Sequence, residues 1–385
     1  MRWDIFCKVI DNFGDAGVCW RLAGQLAREH GQRVRLWVDR PDVLLPLLPA
    51  GADICRNAAA DSPPGLPEIR HWREDVPAQA FAPPADVVLE AFACALPEAC
   101  LAAMLARPRP PCWVNLEYLS AEAWVEACHA LPSPHPRLPL AKHFFFPGFT
   151  AKTGGLLREK TLFARRAAFY AHAGQEKLLA ALGVEMRPKT LLVSLFCYAN
   201  APLRALFAAW RQESAESAPL LCLLPPGQPL AATRKILGGD GPWQLGAARI
   251  VPIPFLPQDD YDTLLWACDL NFVRGEDSFI RAQWAAKPFV WQPYPQEDAA
   301  HLKKLAAFQE RYTASLDPRA RKILETFWQD WNQPENACDE RLARHWQALR
   351  QILPGLERHG EAWAQHLGAQ EDLATALVRF CQSRV

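Results

Sequence analysis

Several features that mark whole classes of protein are missing from this chain of 385 residues. No apolar run approaches the roughly 18 residues that a membrane-spanning helix needs. Charges at Arg2, Asp4 and Lys8 interrupt the stretch where a secretory signal peptide has its apolar core. A basic excess is also missing, because 42 Lys and Arg balance 42 Asp and Glu. The sequence therefore predicts a cytoplasmic globular protein that binds neither nucleic acid nor a membrane surface.

Metal-binding and disulfide motifs are missing as well. The ten histidines show no HxH or HExxH spacing, and the twelve cysteines form no CxxC pair. Most cysteines lie in apolar runs, as Cys7 and Cys197 do, which indicates buried, reduced thiols. The acidic run DDYD (259–262) resembles a metal-binding DxD motif, but it opens a helical pattern, where acidic residues favour the helix dipole. We therefore expect no metal site and no cofactor.

Alternating apolar runs and helical patterns organise most of the chain. Apolar runs at this spacing are typical of a parallel, doubly wound sheet. The predicted strands form two series, at 3–10, 34–38, 86–92, 112–118 and 143–149, and at 190–198, 219–225, 248–255, 268–276 and 288–294. From about residue 318 onward the pattern is helical only.

Two Rossmann-like domains that face a central cleft are the α/β architecture that this pattern predicts, because the chain is too long for one ordinary core. The first domain would cover 1–180, with a C-terminal helix over 360–385 as a candidate to complete it. The second would cover 181–359. Ligands of open α/β sheets bind beyond the carboxyl ends of the strands, so the loops after predicted strands are the first candidates for a site.

The loop DNFGDAG (11–17) joins the first predicted strand to the first helix. Gly14 and Gly17 permit close approach of a ligand to the backbone. A dinucleotide site is not favoured, because GxGxxG is absent and the carboxylates of Asp11 and Asp15 would repel a pyrophosphate. Asp39, after the second strand, mimics the ribose-binding acid of dinucleotide folds, but it lacks the accompanying glycines. The alternative is that both loop aspartates only form the turn and cap the helix.

A second junction of this kind is VRGEDSF (273–279). The helix that follows can hold a diphosphate through its backbone N–H groups, while Ser278 can donate a hydrogen bond and Arg274 can supply positive charge. A carboxylate in the same loop suits a ribose hydroxyl. The alternative is a capped helix with local pairing between arginine and aspartate.

Three further side chains lie where predicted strands of the second series end. Phe255 and Gln258 could stack on a base and hydrogen-bond its edge, or they could be a core phenylalanine and the start of a helix with Pro257 at its first position. Tyr198 is equally compatible with a phenol in the cleft and with a packed strand end.

Three segments, at 11–27, 113–122 and 255–285, closely resemble the EarP family of bacterial protein-arginine rhamnosyltransferases. The first reads DNFGDAGVCWRLAGQLA, the second WVNLEYLSAE, and the third contains FLPQDDYDTLLWACDLNFVRGEDSF. The resemblance implies a GT-B fold, dTDP-β-L-rhamnose as donor and an arginine of elongation factor P as acceptor. It also implies inversion at the anomeric carbon, and a modified factor that relieves ribosome stalling.

The resemblance also implies roles for individual residues. Asp11 and Asp15 would be catalytic carboxylates on the acceptor side, with Asp15 as the favoured base, and Glu276 would be essential. Substrate binding would involve Asn12, Phe13, Gly14, Gly17, Tyr198, Phe255, Gln258, Arg274, Asp277 and Ser278. Three alternatives stay open: a non-catalytic nucleotide-dependent binder of a translation factor, a different nucleotide-sugar glycosyltransferase, and a nicotinamide oxidoreductase.

Overall fold

The computed structural model describes residues 1–11, 13–48, 65–213, 219–296, 298–336 and 338–385. The chain divides into two compact units. Unit 1 comprises Met1–Leu162 and Gly368–Val385, and unit 2 comprises Phe163–Leu367.

The described residues form thirteen strands and thirteen α-helices. The strands are β1 (Arg2–Cys7), β2 (Arg33–Val38), β3 (Glu68–His71), β4 (Val87–Ala91), β5 (Cys112–Leu116), β6 (Pro132–Pro134), β7 (Ala141–Phe145), β8 (Leu191–Leu195), β9 (Leu220–Leu224), β10 (Trp243–Leu245), β11 (Ala248–Pro252), β12 (Leu270–Arg274) and β13 (Phe289–Gln292). The helices are α1 (Phe13–His30), α2 (Glu98–Leu105), α3 (Trp124–Cys128), α4 (Leu162–Ala171), α5 (Gly174–Ala181), α6 (Leu203–Arg211), α7 (Gln228–Leu237), α8 (Gln258–Ala267), α9 (Asp277–Ala285), α10 (Ala300–Tyr312), α11 (Pro318–Asn332), α12 (Asp339–Gly368) and α13 (Leu373–Gln382).

The sheet of unit 1 has the strand order β3-β2-β1-β4-β5-β7-β6, and every neighbouring pair is parallel except β6 and β7. The chain winds from β1 toward β3 and then returns to place β4 on the other side of β1. The order therefore reverses between β1 and β4, which is where doubly wound sheets bind ligands. All residues of β4 and β5 are buried, as in parallel strands covered on both faces.

The sheet of unit 2 repeats this plan with the order β10-β11-β9-β8-β12-β13. Strand β10 is antiparallel to β11, and the other pairs are parallel. The order reverses between β8 and β12. The prediction of an α/β fold with two Rossmann-like domains is confirmed, and each unit has its own reversal point.

Helix α11 shows how the sequence produces a helix that covers the sheet of unit 2. Asp317 is the N-cap, and its side chain accepts hydrogen bonds from the backbone N–H groups of Arg319 and Ala320, with Pro318 at the first helical position. The apolar residues recur every three or four positions and lie on one buried face; they are Leu324, Phe327, Trp328 and Trp331. The helix begins where the helical pattern predicts it, although α10 precedes it and was not expected.

The boundary between the units lies at Leu162–Phe163, earlier than the expected boundary at residue 180. Helix α5 belongs to unit 2 because its Leu179 packs in one hydrophobic core with Leu192, Leu221 and Leu264. Gln175 Nε2 also donates a hydrogen bond to Ala267 O at 2.6 Å.

The expected C-terminal helix over 360–385 is two helices. Helix α12 ends at Gly368, and Asp372 caps the start of α13, with its carboxylate accepting from Thr375 N at 3.1 Å. Only the second piece belongs to unit 1. No helix among the described residues is long and apolar enough to cross a membrane.

Candidate active site

The β1–α1 junction folds around the carboxylate of Asp15. The backbone N–H groups of Ile10 and Asp11 both donate to Asp15 Oδ2, at 2.8 and 2.9 Å. Asp39, at the end of the neighbouring strand β2, accepts from Val9 N at 2.9 Å. The segment between β1 and α1 is therefore held by two carboxylates, that of Asp39 after β2 and that of Asp15 in the first turn of α1.

Burial raises the pKa of Asp15 above its ordinary range, and the nearby charge of Asp11 adds to the rise. The hydrogen bonds from Asp11 N–H, Ile10 N–H and the Tyr118 side chain act in the opposite direction. Asp15 is 3% exposed. A carboxylate accepts about four hydrogen bonds, so three partners leave capacity for a substrate N–H.

The other predicted residues of this junction lie beside Asp15. Asp11 is half-buried, and its main-chain oxygen accepts a hydrogen bond from Gly14 N at 2.6 Å. A Cβ on Gly14 would lie 2.9 Å from Asp11 Oδ2, so glycine leaves room for that carboxylate. Phe13 begins α1, and Gly17 is buried within it. Asn12 lies outside the described residues.

Tyr118 is a partner of Asp15 that the sequence reasoning missed. Its ring stacks on Phe92 with the centroids 4.4 Å apart and the planes 13° from parallel. Phe92 follows β4 and has a φ of 57°, and the next residue, Ala93, has a φ of 52°. Asn115 Oδ1 holds this left-handed segment by accepting from Ala93 N at 3.1 Å. Non-glycine residues with such φ angles concentrate at functional sites.

The structural alternative for the aspartates is therefore partly correct. Asp15 lies in the first turn of α1 and reaches back to backbone N–H groups that precede the helix, much as the acidic residue of a capping box does. That role needs an oxygen acceptor but no charge. The structural role does not explain why an ionisable group is buried at the point where the strand order reverses.

The β12–α9 junction of unit 2 is a tight turn. Gly275 has a φ of 60°, its N–H donates to Gln292 O at 3.0 Å, and its oxygen accepts from Trp291 Nε1 at 2.7 Å. Ser278 Oγ donates to Arg274 O at 2.6 Å and accepts from Arg274 N at 3.1 Å. The hydroxyl of Ser278 thus closes the loop on itself, and its hydrogen bond to a ligand stays a prediction.

The guanidinium of Arg274 contacts two aromatic rings. Its Cζ is 4.4 Å from the ring centroid of Phe196 and 4.6 Å from that of Tyr198, and Nη1 donates to Cys197 O at 3.4 Å. Arg274 is 6% exposed. Contacts of this kind attract a guanidinium to the aromatic faces without neutralising its charge.

Gln258 and Asp277 come together at this junction. Gln258 is the first residue of α8, with Pro257 as the N-cap rather than the first helical residue, and its Nε2 donates to Asp277 Oδ2 at 3.1 Å. Phe255 lies half-buried in the segment between β11 and α8. Glu276 is the half-buried N-cap residue of α9.

The predicted site residues thus fall into one group in each unit. Tyr198, Arg274 and Ser278 share contacts in unit 2, as do Gln258 and Asp277, whereas Asp11 and Asp15 belong to unit 1.

The DDYD run is not a cluster. Asp259 pairs with Arg165 at 3.0 Å, and the buried Asp262 pairs with Arg281 at 2.5 Å. Among the described residues, no group of three or more His, Cys, Asp and Glu side chains is placed to hold a metal ion.

Comparison with known proteins identifies the family of this chain. The family of elongation factor P (EF-P) rhamnosyltransferases, EarP, matches residues 3–382. The chain belongs to the EarP family. It is 49% identical over 388 residues to a protein-arginine rhamnosyltransferase of Pseudomonas putida, with 98% of each chain covered. It is 40% identical over 398 residues to that of Shewanella oneidensis, covering 98% of this chain and 97% of the relative.

Solved structures give the same family and fold. A structure described as the basis for EarP-mediated arginine glycosylation of translation elongation factor EF-P matches with a TM-score of 0.65 and 35% identity, covering 100% of this chain and 99% of the other. MurG from Acinetobacter baumannii matches with a TM-score of 0.51 and 14% identity over 99% of both chains, which shows a shared fold alone. The chain is a glycosyltransferase of GT-B fold, and the oxidoreductase alternative is excluded.

Proposed function

We propose that this chain transfers L-rhamnose from dTDP-β-L-rhamnose to an arginine guanidinium of EF-P, with inversion at the anomeric carbon. Family membership and the names of its relatives support the rhamnosyl group and the arginine acceptor. The observation that carries the proposal is the buried, hydrogen-bonded Asp15 beside Asp11 at the reversal point of unit 1. EF-P is a translation factor, so we expect the reaction in the cytoplasm.

The acceptor sets the main chemical difficulty. An arginine stays protonated to above about pH 12, and an ordinary aspartic acid titrates near about 3.9, so full proton transfer before reaction would be unfavourable by roughly 12 kcal/mol. Two carboxylates solve this problem differently. Asp11 and Asp15 would bind the guanidinium through charge-assisted hydrogen bonds and turn one nitrogen toward the anomeric carbon.

Asp15 would take the proton as the C–N bond forms, when the attacking nitrogen becomes far more acidic. Burial favours this role, because a carboxylate whose pKa is raised is a stronger base than one in water. Asp11 would remain ionised and stabilise the charge left on the other nitrogens. A single displacement from the face opposite dTDP inverts the anomeric centre.

The donor would bind at the β12–α9 junction. The positive end of α9 and the guanidinium of Arg274 would stabilise the charge that develops on the leaving dTDP. Asp277 and Glu276 would accept hydrogen bonds from sugar hydroxyls, and Phe255 and Gln258 would contact thymine. A helix end and an arginine do the work that a divalent cation does elsewhere, so we propose catalysis without a metal or cofactor.

Intact-mass analysis of EF-P after incubation with this protein and dTDP-rhamnose tests the proposal. Addition of one deoxyhexose, on arginine by peptide mapping, is expected, and NMR of the product should show an α-linked sugar. Turnover should survive EDTA; loss that magnesium restores would defeat the metal-free account. Tight binding of EF-P with no mass change would instead favour the non-catalytic binder. Faster transfer from another nucleotide sugar than from dTDP-rhamnose would refute the proposed donor.

A further inference from the structure

Gln292 joins the two segments that carry the proposed donor-binding side chains. It is the last residue of β13 and is 1% exposed, and its register partner in β12 is Arg274. Its main-chain oxygen accepts from Gly275 N at 3.0 Å. Its side chain reaches the loop after β8, where Oε1 accepts from Tyr198 N at 2.8 Å and Nε2 donates to Asn200 Oδ1 at 3.1 Å. One buried residue therefore holds both sides of the reversal point.

The orientation of this amide follows from its partners. A backbone N–H can only donate, so the Gln292 atom that faces Tyr198 is the oxygen, and the nitrogen then faces Asn200. Displacing the loop would break both hydrogen bonds and leave a buried amide unsatisfied, which is unfavourable. Gln292 thus resists movement of Tyr198 away from the end of β12.

The position of Tyr198 matters because its ring contacts the guanidinium of Arg274. The 4.6 Å separation of Arg274 Cζ from that ring lies within the short range over which a cation and an aromatic face attract. The ring centroid of Phe196 lies 4.4 Å from the same Cζ. A shift of the loop would loosen the guanidinium that the proposed function aims at the diphosphate.

We infer that Gln292 is a positioning residue of the donor site, which sets the spacing of Tyr198 and Arg274 and thereby the affinity for a nucleoside diphosphate. The inference rests on the proposed donor site. If Gln292 only filled the core, its substitution would lower the free energy of unfolding and leave the affinity for the nucleotide unchanged.

Calorimetry with dTDP and the full chain separates these cases. Binding of dTDP to the unaltered protein is measured first, because an absence of binding would refute the proposed donor whatever the role of Gln292. Gln292→Met keeps the length and removes both polar groups, so the Kd for dTDP and the KM for dTDP-rhamnose should rise about tenfold, with the KM for EF-P unchanged.

Gln309→Met is the matched control. Gln309 is 6% exposed in α10, where its Nε2 donates to Glu325 O at 3.4 Å. The same substitution there should lower the melting temperature and leave the Kd for dTDP unchanged. Should Gln292→Met not fold, Gln292→Asn retains the amide but is too short to reach both partners, and about fivefold weaker dTDP binding is expected.

A double-mutant cycle tests the route through Tyr198. In a Tyr198→Ala background, the substitution at Gln292 should weaken dTDP binding by less than about twofold. The inference is overturned if the change at Gln292 leaves the Kd for dTDP unaltered, or if it weakens binding equally in both backgrounds.

Discussion

The reversal points of the two sheets lie at equivalent places in five parallel strands, β3-β2-β1-β4-β5 in unit 1 and β11-β9-β8-β12-β13 in unit 2, yet they carry different side chains. In unit 1, between β1 and β4, two carboxylates follow the first strand. In unit 2, between β8 and β12, the buried guanidinium of Arg274 contacts two aromatic rings, and two acidic residues follow it in the loop. The same strand arrangement thus presents different side chains at its reversal point, and these side chains rather than the fold decide the chemistry.

The largest effect on this comparison is expected from a substitution at Asp15. We expect Asp15→Asn to lower the transfer rate by about 1,000-fold while the Kd for dTDP stays the same, because the amide keeps an oxygen for Ile10 N and Asp11 N but loses the charge and the base. Asp11→Asn should act similarly. Rate, donor affinity and melting temperature must be measured on one preparation.

Turnover, measured beside stability, separates this expectation from a purely structural role. The pKa of Asp15 is raised in the folded protein, so its contribution to stability is present at low pH and is lost as pH rises through that pKa. Asp15→Asn should therefore melt no lower than the parent at neutral pH. A capping role alone also predicts little change in melting temperature, because asparagine keeps the oxygen acceptor, but it predicts near-normal turnover. Asp372→Asn, at the N-cap of α13, is the matched control.

The second change concerns the positive side of the comparison. Arg274→Lys keeps the charge but lacks the planar guanidinium that contacts Phe196 and Tyr198, so the Kd for dTDP should rise about 10- to 100-fold. EF-P binding should be unaffected. Arg234→Lys, in an exposed pair with Asp240 on the same unit, should change neither quantity. Equal dTDP affinity in the two variants would contradict the assignment of Arg274.

A subtler change tests how Asp15 is tuned. The Tyr118 hydrogen bond favours the ionised form of Asp15, so Tyr118→Phe should raise the pKa of that carboxyl further. Transfer needs the ionised form, and the acid limb of the pH–rate profile should therefore move to higher pH. Tyr170→Phe, which removes a hydrogen bond to Trp266 O in unit 2, should leave the profile in place.

The smallest effect is expected at Gly14. In Gly14→Ala the new methyl group would lie 2.9 Å from Asp11 Oδ2, so the carboxylate must shift by a few tenths of an ångström, and transfer should slow by about three- to tenfold. Gly24→Ala in the same helix meets only the flexible end of Arg28, and its rate should be unchanged. Equal rates in both variants would show that the position of Asp11 is not critical.

The sequence predicted the two sheets well because their central strands are continuous apolar runs. Those runs extended beyond the real strand ends, as with 190–198 against β8, because the loops that follow are also buried. Strands β3, β6 and β10 were missed because they are short and lie at or near sheet edges, without an apolar run.

Candidate site residues that stand in a local sequence motif were easier to predict than those whose contacts are distant in the sequence. Asp11, Asp15 and Arg274 stand in distinctive loops. Tyr118 and Gln292 contact residues that are distant in the sequence, and no local pattern reveals such contacts. Tyr118 nevertheless ends the predicted strand 112–118, and that position was a usable signal. Gln292 lies inside the predicted strand 288–294, and only the structure shows that β13 ends there.

The return of the last residues to unit 1 has a consequence for synthesis of the protein. Leu373 N donates to Leu156 O at 3.0 Å, Asp372 accepts from Gln25 Nε2 at 2.9 Å, and a side chain at Gly155 would overlap Glu371 O. Unit 2 is encoded by one continuous stretch and can complete its core while translation continues. Unit 1 begins first but needs residues 368–385, which are synthesised after the whole of unit 2. Unit 1 is therefore completed after unit 2, and a chain that lacks these residues would complete unit 2 alone.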